Sequence, residues 1–202
     1  MGDTTDNPRL GERFNEALVY AAACHRYQLR KETEIPYVSH LLAVASIVLE
    51  HGGTEDEAIG ALLHDAAEDC GGVEVLVTIR ERFGAAVEHI VRGCSDALPA
   101  NGEPKPGWRE RKEPYIAHIA TACAPVRLVS AADKLHNARS ILTDYRRIGE
   151  ALWGRFNAGR EDQRWYYGKL VEAFQTHGEH RELIDELTSV VAALEHEIRA
   201  RV

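Results

Sequence analysis

The chain has 202 residues, a length typical of one domain and sufficient for a hydrophobic core without disulfides or structural metals. Hydrophobic residues make up 45% and charged residues 28% of the chain, which excludes a largely disordered protein. The net charge of −8 argues against nucleic acid or an anionic membrane surface as the main partner. A phosphorylated ligand would therefore need a local basic pocket or a metal.

The cysteines and the N-terminal residues indicate the compartment. Four cysteines are present, and none lies in a C-x-x-C pair, which excludes zinc-ribbon and thioredoxin-type sites and is typical of a reducing compartment. The first residues contain no apolar signal-peptide segment, and the uncharged stretches of the chain are too short to span a bilayer. We therefore expect a cytoplasmic protein without membrane contacts.

The first half of the chain has the apolar spacing of helices. This spacing covers residues 14–27 and an almost wholly apolar segment at 39–51, for which Ser39 is the expected N-cap. Thr54 and Glu57 form the pattern of a capping box, which predicts a third helix from there to about Asp69. Residues 73–83 and 85–94 predict two further helices, separated by Gly84.

A loop rich in proline and glycine at 97–107 follows, and we interpret it as a mobile segment or a lid near the substrate. Beyond it, periodicity predicts helices at about 108–123, 126–145, 161–176 and 181–200, the first of them kinked or split by Pro114. No segment alternates with the period of a strand. The prediction is one all-α domain over residues 1–202, a bundle of about eight or nine helices with its core at 14–176.

The predicted third helix ends in an unusual cluster of polar side chains. His64 and Glu68, and likewise Asp65 and Asp69, are four residues apart, so all four would lie on one side of one turn. They follow an apolar stretch, where charges are rarely buried without a partner or a metal. A solvated acidic helix end is the alternative, but acids at a helix C-terminus oppose the macrodipole, and a divalent cation would remove that conflict.

Three other places are candidates for the same site. His40 begins the most apolar helix, Asp133 and Asn137 share a helix face, and a basic cluster precedes Ile35-Pro36-Tyr37: Arg26, Arg30 and Lys31. Each feature also has a purely structural explanation: His40 as a core histidine, Asp133 and Asn137 as part of an amphipathic helix, and the basic cluster as a helix end. Together they supply mixed histidine and carboxylate ligands, which suit Mn²⁺, Fe²⁺ or Zn²⁺ better than Ca²⁺, beside cations for a phosphate. Phosphoester hydrolysis is the chemistry that this set favours.

These motifs, in this order, resemble the HD superfamily of metal-dependent phosphohydrolases. More narrowly, they resemble the small alarmone hydrolases and the hydrolase domain of Rel/Spo stringent-response enzymes. The resemblance rests on five stretches: His25-Arg26-Tyr27-Gln28 with Arg30-Lys31, Pro36-Tyr37-Val38-Ser39-His40, Leu62-Leu63-His64-Asp65 with Glu68-Asp69, Ala132-Asp133-Lys134-Leu135-His136-Asn137-Ala138-Arg139, and Phe156-Asn157-Ala158-Gly159 with Trp165-Tyr166-Tyr167.

The resemblance implies an HD-domain helical bundle and a reaction. That reaction is removal of the 3′-pyrophosphate from guanosine tetra- or pentaphosphate, which gives GDP or GTP and pyrophosphate. One divalent metal is implied, most often Mn²⁺, with Fe²⁺, Zn²⁺ or Mg²⁺ as alternatives. Its implied ligands are four residues: His40, His64, Asp65 and Asp133.

The resemblance also implies roles around this metal. Glu68 and Asp69 would orient or deprotonate the attacking water, and Asn137 would line the site beside the metal. The implied substrate contacts are two cations and an aromatic residue of the nucleotide pocket: Arg30, Lys31 and Tyr166.

The chain departs from the family pattern at positions that border the pocket. Ile35 stands where threonine often precedes Pro-Tyr, and Cys70 stands where threonine commonly follows the acidic pair. These departures leave the nucleotide open, so an HD phosphohydrolase acting on NADPH or another nucleotide is one alternative to an alarmone hydrolase. A non-catalytic module that senses a nucleotide is a second alternative, of another class. The sequence leaves a homo-oligomer open as well.

Overall fold

The structure is a computed structural model that describes residues 10–98 and 106–201. These residues form ten α-helices, one 3₁₀ helix and no strand. The α-helices are α1 (Glu12–Cys24), α2 (Val38–Glu50), α3 (Glu55–Leu63), α4 (Ala66–Cys70), α5 (Val73–Phe83), α6 (Ala85–Cys94), α7 (Trp108–Ile119), α8 (Ala124–Ile148), α9 (Arg160–Phe174) and α10 (Arg181–Ala200). The 3₁₀ helix, Gly149–Arg155, has no counterpart in the sequence prediction.

The all-α prediction is confirmed, but the predicted third helix is wrong, because it divides at His64 and Asp65 into α3 and α4. The Nδ1 atom of His64 lies 2.7 Å from the carbonyl oxygen of Ala61. A side chain that bonds this carbonyl competes with the backbone ladder, which interrupts the helix. Glu68 and Asp69 consequently lie in the first turn of α4, where acids complement the macrodipole.

Three other local predictions meet different outcomes. The capping box at the start of α3 is confirmed, since the Thr54 side chain accepts from the Glu57 N–H and the Glu57 carboxylate accepts from the Thr54 N–H. Ser39 is not an N-cap, because α2 already begins at Val38 and its cap residue is Tyr37. Pro114 does not split α7, which continues past it to Ile119. Most of the predicted 97–107 loop lies outside the described residues.

The long helix α8 is the centre of the fold. It packs against α2, α3, α6, α10 and the 3₁₀ helix, while α9 packs against α7 and α10. Buried hydrophobic residues from α1 to α10 form one continuous cluster around it. The amphipathic spacing of α10 is explained by this packing, since Leu183, Leu187 and Leu194 are buried. None of the described helices combines the length and apolar character that crossing a bilayer requires.

One buried cation connects three helices. Arg127, in the first turn of α8, is 1% exposed, and its guanidinium donates to the carbonyls of Ile119 at 2.8 Å and Phe174 at 2.5 Å. These residues are the last of α7 and α9. The guanidinium therefore caps two helix C-termini, where a positive charge also complements both macrodipoles.

Replacing this residue is expected to destabilise the protein. Arg127→Met leaves two buried carbonyl ends without their donor, and we expect the free energy of unfolding to fall by about 2–4 kcal/mol. Urea unfolding followed by circular dichroism measures the change. Arg181→Met, at an exposed ion pair of α10, is the control and should stay within about 0.5 kcal/mol of the wild type. A similarly small change in Arg127→Met would contradict the capping role.

Candidate metal centre and active site

Two buried histidines and two aspartates meet where α2, α3 and α8 pack together. His40 is the third residue of α2, His64 and Asp65 form the turn after α3, and Asp133 lies in the middle of α8. The Nε2 atom of His40 is 3.2 Å from Asp133 Oδ1 and 3.5 Å from Asp65 Oδ2. The Nε2 atom of His64 is 3.0 Å from Asp65 Oδ2 and 3.7 Å from Asp133 Oδ1. The structure thus brings together all four residues predicted as metal ligands.

The donor set fits a divalent metal. Both imidazoles are almost fully buried and have their Nδ1 atoms engaged, His64 by the Ala61 carbonyl and His40 by His136. The His64 Nε2 atom is buried, and although Asp65 Oδ2 lies 3.0 Å away, the two atoms do not form a hydrogen bond. One ligand atom each from His40, His64 and Asp65 lies within 4.8 Å of the others. Nitrogen donors fixed in this way, beside carboxylate oxygens, are the arrangement that transition-metal sites use.

The two aspartates of this centre carry negative charge that neighbouring cationic groups stabilise. Burial works to raise the pKa of Asp65, but the adjacent His64 and His40 imidazoles outweigh it and hold that pKa well below its usual range. Burial also acts against ionised Asp133, whose pKa is nevertheless held well below the usual range, chiefly by Lys134 and the two imidazoles. Both carboxylates, Asp133 buried and Asp65 partly buried, therefore stay ionised, and a divalent cation between the imidazoles would balance their charge.

Neighbouring side chains orient the two aspartates. The Tyr37 hydroxyl donates to Asp65 Oδ2 at 2.6 Å. The Lys134 ammonium donates to Asp133 Oδ2 and the Asn137 amide to Asp133 Oδ1, both at 2.5 Å. Each carboxylate is thus fixed by a second group, as ligands of metal sites commonly are.

The two acids predicted to act on water occupy different surroundings. Glu68 lines the cavity described below, and its Oε1 atom accepts from the backbone N–H of Asp96 at 2.7 Å. Asp69 is exposed, does not line the cavity, and accepts at 2.9 Å from Gln28, whose own side chain contacts His25. The pair predicted as a unit is therefore divided by the structure, with only Glu68 facing the cavity.

A cavity of about 520 Å³ opens beside the metal centre. Tyr37, Lys134 and Asn137, which donate to the two aspartates, also line it, and so does Glu68. Predicted residues Arg30, Lys31 and Tyr166 line it, whereas Arg26, the third member of the predicted basic cluster, is exposed and does not. Six cations of the described residues line the cavity: Arg30, Lys31, Arg111, Lys112, Lys134 and Arg155. Three acids in the described part of the chain line it as well, Glu68, Asp96 and Asp144, so the cations are in excess, which suits an anionic ligand.

The predicted substrate residues are held in defined positions. Arg30 donates to Asn137 Oδ1 and Lys31 donates to Asn157 Oδ1, each at 2.8 Å. The Tyr166 ring packs edge-on against Trp108, with ring centroids 5.6 Å apart, and its buried hydroxyl has no hydrogen-bond partner. A buried polar group without a partner is costly, so this hydroxyl is a candidate contact for a bound ligand or water.

Sequence reasoning missed the part of the cavity on α7. Arg111 and Lys112 both pair with Asp96, and the two cations hold the pKa of this carboxyl below its usual value although burial acts to raise it. The distance from Lys112 Nζ to Asp96 Oδ2 is 2.5 Å. The only signal in the sequence is the basic pair itself, which begins four residues after the proline-rich loop, and such pairs are common on exposed helix faces.

Comparison with known proteins agrees with this geometry. A family model described as HD domain matches residues 17–163, and the chain belongs to that family. The guanosine-3′,5′-bis(diphosphate) 3′-pyrophosphohydrolase MESH1 of Xenopus tropicalis is 37% identical over 129 residues, which are 62% of this chain and 68% of that protein. MESH1 of Drosophila melanogaster is 34% identical over 132 residues, 64% of this chain and 69% of its own length.

A solved structure extends the comparison to nearly the whole chain. It is described as a metazoan ortholog of SpoT that hydrolyzes ppGpp, and it superposes with a TM-score of 0.69 at 25% sequence identity. The match covers 96% of this chain and 98% of that one. The predicted HD-domain fold is confirmed by this similarity.

Proposed function

We propose that this protein is a metal-dependent hydrolase that removes the 3′-pyrophosphate from guanosine 3′,5′-bis(diphosphate) or the corresponding pentaphosphate, with pyrophosphate and GDP or GTP as products. The observation that carries the proposal is a buried centre of two histidines and two aspartates beside a cavity lined by six cations of the described residues. Its relatives named for this reaction, at 34–37% identity, support it. The four free thiols favour a reducing compartment, and we assign the activity to the cytoplasm.

The metal would be held by His40, His64, Asp65 and Asp133. Mixed imidazole and carboxylate ligands suit Mn²⁺, Fe²⁺ or Zn²⁺, and Mn²⁺ is our first choice because the family resemblance implies it. When bound, a divalent cation lowers the pKa of a water and offsets charge on a phosphoryl group. The Asn137 side chain hydrogen-bonds to both Asp133 and Arg30, and would thereby hold the Arg30 guanidinium at a fixed position relative to the metal centre.

The chain's own residues supply the remaining steps. Glu68 would orient the attacking water and accept its proton, because it is the one of the two predicted acids that lines the cavity. Attack on the phosphorus bonded to the ribose 3′ oxygen breaks that P–O bond, and the 3′ oxygen leaves and takes up a proton. Arg30 and Lys31 would bind the phosphoryl oxygens and offset the charge that develops on them. Asp69 would act through Gln28 on the loop before α2 rather than on water.

Product analysis tests the proposal directly. Purified protein with Mn²⁺ and guanosine tetraphosphate should give GDP and pyrophosphate, separated by ion-exchange chromatography. Orthophosphate release from NADPH without cleavage of guanosine tetraphosphate would instead indicate another nucleotide as substrate. Tight binding of guanosine tetraphosphate without turnover would indicate a sensor.

The unpartnered hydroxyl of Tyr166 gives a separate test of the nucleotide cavity. Tyr166→Phe removes a buried polar group without a partner, so the free energy of unfolding should stay the same or rise. We expect KM for guanosine tetraphosphate to rise by roughly 3–10-fold, the value of one hydrogen bond. Steady-state kinetics and urea unfolding measure the two effects.

A matched variant gives the opposite pattern. The Tyr115 hydroxyl is buried and bonded to Ser130 at 2.6 Å, so Tyr115→Phe should lower stability by about 1 kcal/mol and leave KM unchanged. An unchanged KM in Tyr166→Phe would remove this hydroxyl from the proposed substrate contacts.

A further inference from the structure

The two histidines of the candidate metal centre are held through Nδ1 by different kinds of partner. His64 Nδ1 lies 2.7 Å from the backbone carbonyl of Ala61, which is present whatever side chain that position carries. His40 Nδ1 lies 2.7 Å from Nδ1 of His136, a side chain 96 positions further along the chain. The orientation of His40 therefore depends on the identity of one residue that none of the steps above uses.

The hydrogen bond between the two imidazoles constrains where their protons lie. Two facing Nδ1 atoms share one proton, so one nitrogen donates and the other accepts. A histidine binds a metal through a nitrogen that carries no proton. With His40 Nε2 as the ligand, 3.2 Å from Asp133 Oδ1, the His40 proton lies on Nδ1 and His136 Nδ1 accepts it.

The position of His136 on α8 suits this task. It lies three residues after Asp133, one helical turn further along, and its ring is tilted by 41° to that of His40 with the centroids 4.8 Å apart. Helix α8 thus supplies the Asp133 carboxylate and, one turn later, the acceptor for His40 on α2. Both ligands are fixed relative to the same rigid helix.

We propose that His136 is a positioning residue for the metal: its Nδ1 atom accepts a hydrogen bond from His40 Nδ1–H and so keeps the His40 Nε2 lone pair directed at the centre. This inference rests on the proposed metal-dependent function. Loss of a partner of a metal-binding histidine typically weakens metal affinity by about 10–100-fold. The effect should appear in metal binding and be recovered in turnover at excess metal.

Metal titration of the full chain tests the role. Metal-stripped wild type, His136→Leu and His136→Asn are titrated with Mn²⁺ by isothermal calorimetry at one pH. Leucine fills the space without an acceptor, and asparagine places an acceptor oxygen near the position of Nδ1. We expect the Kd for Mn²⁺ to rise by about 10–100-fold in His136→Leu and to return to within a few-fold of wild type in His136→Asn. His89→Leu, at an exposed histidine of α6, should bind as the wild type does.

Several outcomes would overturn the inference. His136→Leu with a wild-type Kd would exclude it, as would His136→Asn binding as weakly as His136→Leu, because a packing role depends on volume and not on an acceptor. A lower Tm with an unchanged Kd would indicate a structural role only. A wild type that binds no Mn²⁺ would overturn both the metal centre and this inference. If wild type binds Mn²⁺ but leaves guanosine tetraphosphate intact, the proposed substrate fails, and the titration still decides the role of His136.

Discussion

Replacing Asp65 by asparagine is expected to abolish Mn²⁺ binding and to lower kcat by about 10³-fold or more. Asp65 Oδ2 is 3.0 Å from His64 Nε2 and 3.5 Å from His40 Nε2, so it faces both proposed nitrogen ligands. The amide keeps the size of the side chain but lacks the charge that a divalent cation requires. Because a metal contributes several kcal/mol to phosphoryl transfer and each 1.36 kcal/mol is tenfold in rate, its loss accounts for this magnitude.

Calorimetric titration with Mn²⁺ and product analysis with guanosine tetraphosphate measure the two effects in Asp65→Asn. Asp185→Asn, an exposed residue of α10 paired only loosely with Arg181, is the matched control and should keep wild-type metal affinity and turnover. We prefer Asp65 to Asp133 for this test because removing the Asp133 charge would leave the partly buried Lys134 without its partner, and a loss of stability could then be mistaken for a loss of function. Full turnover in Asp65→Asn would show that Asp65 is not a ligand of the metal that the reaction requires.

The second large effect is expected from Glu68→Gln, which should lower kcat by about 10²–10⁴-fold while Mn²⁺ still binds. Glutamine keeps an oxygen that can accept from the Asp96 N–H, 2.7 Å away in the wild type, so the local structure should persist. What the variant loses is the ability to take a proton from water. Asp65→Asn should lose both Mn²⁺ binding and turnover, whereas Glu68→Gln should lose turnover alone. This difference is expected only if Glu68 acts on the water and is not a ligand of the metal.

Asp69→Asn is the natural comparison for Glu68→Gln. Asp69 is exposed, turned toward Gln28 and absent from the cavity wall, so we expect its effect on kcat to be below about tenfold. Full activity in Glu68→Gln combined with a large loss in Asp69→Asn would reverse the two roles. Equally large losses of kcat in the two variants would indicate that Glu68 and Asp69 act on the water together, as the sequence predicted.

Several features follow from the sequence alone because they depend on neighbours within one or two helical turns. The helical spacing of apolar residues gives nearly every α-helix, and the Thr54–Glu57 capping box begins α3 as predicted. The pattern of His40, His64-Asp65 and Asp133 also identifies the family, since a ligand set is a matter of residue type and order. These signals are local or compositional, and no knowledge of packing is needed to detect them.

Other features are decided only by the tertiary structure. The break between α3 and α4 falls at His64, which is buried against His40 of α2 and Asp133 of α8, and the spacing of its neighbours in sequence does not signal it. Arg127 reads as an ordinary surface cation in sequence, yet packing places it against the ends of α7 and α9. The α7 cations of the cavity likewise become visible only when α7 is placed near Glu68 through Asp96.

One physical reason separates the features that the sequence predicts from those that depend on the tertiary structure. Helix propensity, capping and amphipathic spacing act between residues up to four positions apart, so a linear pattern contains them. The pairing of His40 with His136, and of Arg30 with Asn137 at a separation of 107 residues, depends on how helices cross. The sequence by itself therefore determined which chemical groups this protein has and on which helices they lie. Helix packing decided which of them face one another across the metal centre and the cavity.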